Sequence, residues 1–241
     1  MKKHIPNFIT SLNLVSGFIA IIFAAAGELV TASWLIAAAM IFDFFDGFSA
    51  RFLKAYSDLG KELDSLADIV SFGVAPAVII YNLLSNSVSA NLQHQPDASD
   101  KMGFVIMLII PSIMPVCAAL RLAIFNLDTN QTTSFKGLPT PANSIAVISL
   151  VVAGHYSESS FIDSLTGSPV FMTLLTITLS LLMISRISLI SLKISDLKFK
   201  GNEGRYLMVF LIAAAFGILG VNAAALIIPV YIISSMVAGY L

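Results

Sequence analysis

Apolar runs long enough to cross a hydrocarbon core recur along this whole chain, and no stretch between them has room for a soluble domain. A core about 30 Å thick takes roughly 20 helical residues to cross. Dividing the sequence at charged or Gly/Pro/Asn-rich breaks predicts eight spans: about Ile5 to Ala26, Val30 to Leu53, Leu63 to Leu84, Met102 to Phe125, Asn143 to His155, Val170 to Ile190, Tyr206 to Gly220 and Val221 to Tyr240. The fifth and seventh are short, and the last two are divided only around Gly220. The expected fold is an all-α, polytopic membrane bundle of about eight helices, one integral membrane domain over residues 1–241. Composition agrees, with 57% hydrophobic and 11% charged residues, against about 25% charged in an ordinary soluble domain. A net charge of -1 shows no basic excess and argues against a nucleic-acid partner. The single cysteine, Cys117, lies in an apolar run and reads as a small buried hydrophobe.

Lys2 and Lys3 followed by an apolar stretch ending Ala24 to Ala26 have the outline of a secretory signal. The stretch opens with Asn7, Thr10 and Asn13, and its removal would turn the next segment against the charge pattern, so it is read as a retained span. With the amino terminus in the cytoplasm, Lys2, Lys3, Arg51, Lys54, Lys61, Arg121, Lys136, Arg186, Lys193, Lys198, Lys200 and Arg205 fall on or near that side, and only Lys101 falls outside. Cytoplasmic flanks carry such an excess of Lys and Arg. The expectation is a multi-pass cell-membrane protein with both termini cytoplasmic.

The second span ends and the third begins with D-F-F-D-G-F-S-A-R-F-L-K-A-Y-S-D-L-G-K-E-L-D-S-L-A-D from Asp43. On a helix, Asp43, Asp46, Gly47 and Ala50 share an arc of roughly 100°, with Arg51 at its edge. After a break, Gly60, Asp64 and Asp68 recur at intervals of four, and Ser71 returns to their stripe. Aspartate at the centre of a membrane helix costs about 2.5 to 3.5 kcal/mol, so four need compensation that one arginine cannot supply. Carboxylates without nearby His or Cys form a hard oxygen set that suits Mg²⁺ or Mn²⁺. Bridging from two helices, they could hold two ions about 3.5 to 4 Å apart, the arrangement that clamps both oxygens of a phosphoryl displacement. Gly47 and Ala50 leave room for a phosphate or nucleotide, or else serve as packing contacts. Asp58 and Glu62 read as solvated interface acids.

This run resembles the CDP-alcohol phosphotransferases, whose signature D-x-x-D-G-x-x-A-R-x8-G-x-x-x-D-x-x-x-D is matched at Asp43, Asp46, Gly47, Ala50, Arg51, Gly60, Asp64 and Asp68 without departure. The resemblance implies a helical bundle open to the cytoplasmic leaflet, with a core over about 1–192 and additional helices over about 205–241. It also implies a dinuclear metal site, a CDP-linked lipid donor, and a homodimer. Asp43, Asp46 and Asp64 would ligate metal; Asp68 would reach the metal site and take the acceptor's hydroxyl proton. Gly47, Ala50, Arg51 and Gly60 would bind the CDP moiety.

Three further segments look like the phosphatidylserine synthases of that family: P-N-F-I-T-S-L-N-L-V-S-G from Pro6, L-D-S-L-A-D-I-V-S-F-G-V-A-P-A from Leu63, and L-R-L-A-I-F-N with F-K-G-L-P-T-P-A-N from Leu120 and Phe135. They imply CDP-diacylglycerol and L-serine as substrates. Ile124 departs from the pattern, standing where many such enzymes carry a second basic residue. Serine's carboxylate favours a fixed cation, for which Arg121, Lys136 and Arg186 are candidates; lipid-headgroup contact is the other reading of any juxtamembrane base. Gly137, Pro139 and Pro141 punctuate a loop whose rigid turn could close the acceptor pocket. A phosphorylated acceptor, glycerol 3-phosphate or an inositol phosphate, would call for a denser basic cluster. A divalent-cation transporter would leave the Gly-x-x-Ala-Arg spacing unexplained.

Overall fold

The computed structural model describes residues 4–91, 103, 105, 108–127, 135–157, 159–190 and 202–238. Helices α1 (His4–Ala25) and α2 (Leu29–Phe52) turn at Gly27, whose φ of +87° is left-handed and carries no Cβ penalty in glycine. Ala20, Ala24, Ala32 and Ala39 are fully buried in the bundle, and the Ser16 hydroxyl donates to Leu35 O at 2.9 Å across the hairpin. In lipid, helices gain no hydrophobic free energy by meeting, so small residues and inter-helix hydrogen bonds supply the association. Large apolar side chains are left on the outside, Phe8, Phe18, Trp34, Phe44 and Phe48 among them.

Helix α3 (Asp58–Asp68) starts where the Ser57 hydroxyl accepts from Gly60 N at 3.0 Å, an N-cap. It continues through a π-helical turn, Ile69–Val74, into α4 (Ala75–Asn91). Pro76 explains the irregularity. It has no N–H, so the Phe72 carbonyl that it would serve in an α-helix loses its intrahelical donor. That carbonyl instead accepts from Asn143 Nδ2 and the Ser144 hydroxyl, both at 3.2 Å, from the first turn of α6 (Thr140–Tyr156), while Ala75 N reaches back to Val70 O. Ser71, inside the same turn, donates to Asn13 O at 3.0 Å. This approach requires Gly17, where a Cβ would stand 2.1 Å from Ser71 Oγ and 2.7 Å from its Cα.

Helix α5 (Ile113–Leu127), entered through a 3₁₀ turn at Ile110–Ser112, packs on the π turn and on α8 (Pro169–Ile184). Gly73 meets α5 closely, with Ala118 Cβ 3.1 Å from where its own Cβ would be. The short α7 (Ser160–Thr166) precedes α8 at a bend of 73°. After α8, β2 (Ser188–Leu189) pairs antiparallel with β1 (Phe135–Lys136). The chain ends in α9 (Glu203–Leu219), a 3₁₀ segment at Gly220–Leu226, and α10 (Ile227–Ala238). Phe72, Ile36, Ile79, Ile80, Leu84, Met114 and Met172 fill the centre of the bundle.

Among the described residues, five helical stretches are long and apolar enough to cross a membrane, or six if α7 and α8 form one broken span. The chain is therefore a helical, multi-pass membrane bundle, but the expected count of eight is not reached by this measure. The fifth expected span falls on α6, only 17 residues long and largely buried, with Asn143 and Ser144 bonded to the Phe72 carbonyl of the π turn and the Ser149 hydroxyl donating within its own helix to Ala146 O. The last two fall on a single stretch, Glu203–Val237. That stretch is not a straight rod: Gly220 has φ +56°, and α9 and α10 pack against each other, which helices in line cannot do. Lys2, Lys3, Lys101, Lys193, Lys198 and Lys200 of the expected charge pattern lie outside the described residues.

Candidate metal and nucleotide site

The connection from α2 to α3 is short and closed by the backbone. Lys54 takes a left-handed φ of +51°, and Ala55 N donates to Ala50 O at 2.9 Å. The acids on either side of it therefore arrive at one end of the bundle. Asp43, Asp64 and Asp68 each offer a carboxylate oxygen, and the three oxygens lie within 4.8 Å of one another. Oxygens bound 2.0 to 2.6 Å from one ion stand at most about 5 Å apart, so the trio has the reach of a shared ligand set. Asp46 stands beside it, 5% exposed. Asp58 and Glu62 are exposed, as their reading as interface acids requires.

Asp46 Oδ2 and Asp64 Oδ1 are buried and have no hydrogen-bond partner in the protein. Buried carboxylates crowded this closely repel one another and have lost their hydration. A hard divalent cation fits both facts, supplying charge and the missing partner with oxygen ligands alone.

Asn13 is a residue that the aspartate spacing did not reveal. It is fully buried, its Nδ2 donates to Asp68 Oδ1 at 3.3 Å, and its own carbonyl is the one held by Ser71. The signal was present as the polar series Asn7, Thr10, Asn13 at intervals of three on an otherwise apolar helix.

Beside the carboxylates opens a cavity of about 460 Å³, lined by Asn7, Thr10, Asp46, Gly47, Ala50, Arg51, Tyr56, Gly60, Lys61, Asp64 and Phe125. All four expected CDP-binding positions line it. The wall at Gly47 is low, the Arg51 guanidinium 3.7 Å from where a Cβ would be, and Arg51 Nε is braced on Gly47 O at 2.9 Å. At Gly60 a Cβ would stand 2.9 Å from Asn7 Oδ1 and 3.0 Å from Ser57 Oγ, so a side chain there would collide with the α1 wall.

The three candidate acceptor cations part company. Arg121, on α5, is partly buried within electrostatic reach of Asp68 and of Tyr231; its Nη1 donates to Thr140 Oγ1 at 3.5 Å, and its Nε is buried without a partner. Lys136 lies in β1, its backbone paired with Ser188, and Arg186 is exposed at the approach to β2. The loop of Gly137 and Pro139 is fixed against the end of α8: Gly137 N donates to Ile187 O and Leu138 N to Leu182 O, both at 2.9 Å. Gly137 has φ +77°, and a Cβ there would lie 2.5 Å from Met183 O.

The chain is similar in sequence to known proteins. The chain is 34% identical over 158 residues to the archaetidylserine synthase of Methanothermobacter thermautotrophicus, covering 65% of this chain and 61% of that protein. It is 36% identical over 171 residues to a CDP-diacylglycerol--serine O-phosphatidyltransferase of Mycobacterium leprae, 66% of this chain and 52% of the other. These matches thus span less than two thirds of either relative's length. Against the protein of the same name from Bacillus subtilis, identity is 31% over 185 residues, 77% of this chain and 89% of the relative. The model of the CDP-alcohol phosphatidyltransferase family matches residues 3–237, and with the aspartate set, the neighbouring cavity and these relatives in view, the chain belongs to that family.

Proposed function

We propose that this protein transfers the phosphatidyl group of CDP-diacylglycerol to the hydroxyl of L-serine, giving phosphatidylserine and CMP. The observation that carries this reading is one region of the bundle that brings together the carboxylate trio, a cavity lined by Gly47, Ala50, Arg51 and Gly60, and a partly buried arginine, Arg121, within electrostatic reach of Asp68. The names of the relatives support serine as the acceptor.

Asp43, Asp64 and Asp68, with Asp46 beside them, would hold Mg²⁺ or Mn²⁺, two ions by the family resemblance. Bound there, the metal would supply positive charge to the pyrophosphate and to the departing CMP. The low wall at Gly47 and Ala50 admits the CDP moiety beside the helix backbone, with Arg51 at the cavity edge for its phosphates. Arg121 receives the carboxylate of serine, orienting the hydroxyl toward the lipid-side phosphorus. Asp68, held by Asn13, takes the hydroxyl proton as the serine oxygen bonds to phosphorus and the bond from phosphorus to the CMP oxygen breaks. Pairing of two chains belongs to the same proposal.

Purified protein in mixed micelles with CDP-diacylglycerol and Mn²⁺ is expected to release CMP with L-serine and not with glycerol 3-phosphate or inositol phosphate. Use of a phosphorylated acceptor in preference to serine would remove the serine assignment while leaving the aspartate chemistry standing. Metal uptake by vesicles without lipid turnover would point to a transporter instead.

The charge pattern supports a cytoplasmic site, with the α1–α2 turn outside. In a Cys117→Ala background, Glu28→Cys is expected to react with an impermeant thiol reagent in intact cells, and Asp58→Cys only after permeabilisation. Both positions are exposed, so the reverse pattern would invert the orientation.

A further inference from the structure

The carboxy-terminal helix reaches the acceptor side of the site. Tyr231 on α10 is 3% exposed and stands within electrostatic reach of Arg121. Its hydroxyl donates to Ile190 O at 3.1 Å. One turn on, on the same face, the Ser235 hydroxyl accepts from Ile190 N at 3.2 Å. Ile190 is thus held through both its backbone groups by one helix, directly after the strand β2.

The same segment leads back to Arg121 by another route. Strand β2 pairs with β1. The residues following β1, Gly137 and Leu138, are tied to the Ile187 and Leu182 carbonyls, and two residues later Thr140 accepts from Arg121. Arg121 thus has a hydrogen-bonded neighbour, Thr140, and an electrostatic neighbour, Tyr231, and one strap of backbone leads to both. Arg121 Nε is buried without a hydrogen-bond partner in the protein, so the guanidinium keeps donor capacity for a ligand. A long side chain gains affinity for a carboxylate when its geometry is fixed beforehand, because less freedom is lost on binding.

We infer that Tyr231 and Ser235 of the carboxy-terminal helix are positioning residues for the acceptor pocket, acting through Arg121 and the Ile190 strap to fix the site for the amino acid's carboxylate. This rests on the serine reading above. The bland alternative is that the contacts at Ile190 only anchor the end of the chain.

Two small deletions separate the readings, because Tyr231→Phe and Ser235→Ala each remove one hydroxyl and keep the packing. Steady-state kinetics with serine and CDP-diacylglycerol varied separately should show serine KM rising about 3- to 10-fold in each variant, the size of one neutral hydrogen bond, with donor KM and kcat within about twofold of wild type. Combined with Arg121→Lys, Tyr231→Phe should add little further loss, since both act at one guanidinium. Unchanged serine KM in both single variants, equal rises for both substrates, or full additivity with Arg121→Lys would overturn the inference. Failure of the wild type to use serine at all would overturn the functional reading, and this inference with it.

Discussion

Asp43→Asn, Asp46→Asn, Asp64→Asn and Asp68→Asn should each lower transfer by more than about 100-fold, the upper end of what loss of a group merely supporting a metal ligand costs. Asp58→Asn and Glu62→Gln should stay within about twofold, as exposed surface changes do. The stabilities should move the other way. Carboxylate oxygens within 4.8 Å of one another, with buried oxygens on Asp46 and Asp64 that nothing in the protein satisfies, strain the metal-free fold. An asparagine removes one of the repelling charges, so each variant should melt no lower than the wild type in chelator. Added Mn²⁺ should raise the melting temperature of the wild type and do so less for the variants, because a ligand stabilises only the state that binds it. A helix-packing role for these acids would give loss of stability in step with loss of activity. Full wild-type turnover in metal-free buffer would end the metal reading.

For Arg121→Ala, the expected result is a rise in serine KM of about 30- to 150-fold with the donor affected far less. Removing the guanidinium deletes a charge-assisted hydrogen bond and leaves an anion to be desolvated without a partner, a loss on the order of 2 to 3 kcal/mol. Arg121→Lys should recover only part, since an ammonium keeps the charge but not the two-pronged geometry. Kinetics that vary serine and CDP-diacylglycerol in turn decide the matter. A variant that weakens the lipid donor and leaves serine untouched would move Arg121 to the headgroup site. The exposed Arg186 should show a much smaller effect.

What the linear chain determined was whatever local periodicity and solvent physics control. Runs of about 20 apolar residues have few ways to hide their backbone in lipid, so a helical bundle followed from composition alone. Acids repeated at intervals of three and four must share a helix face, so Asp43 with Asp46, and Asp64 with Asp68, could be paired before any coordinates. Contacts between segments distant in the chain were another matter. Asn13 reaches Asp68 across 55 residues, and Asn143 finds the Phe72 carbonyl across 71. Pro76 foretold a broken hydrogen bond in its own helix, but not which side chain would repair it. The number of crossings blurred for a related reason: a buried helix such as α6 is shielded by its neighbours and needs neither the length nor the unbroken apolar surface that lipid demands. Tyr231 and Arg121 carry no mutual signature in sequence, because burial and proximity belong to the packed bundle, and only the tertiary fold brings the carboxy-terminal helix to the arginine of α5.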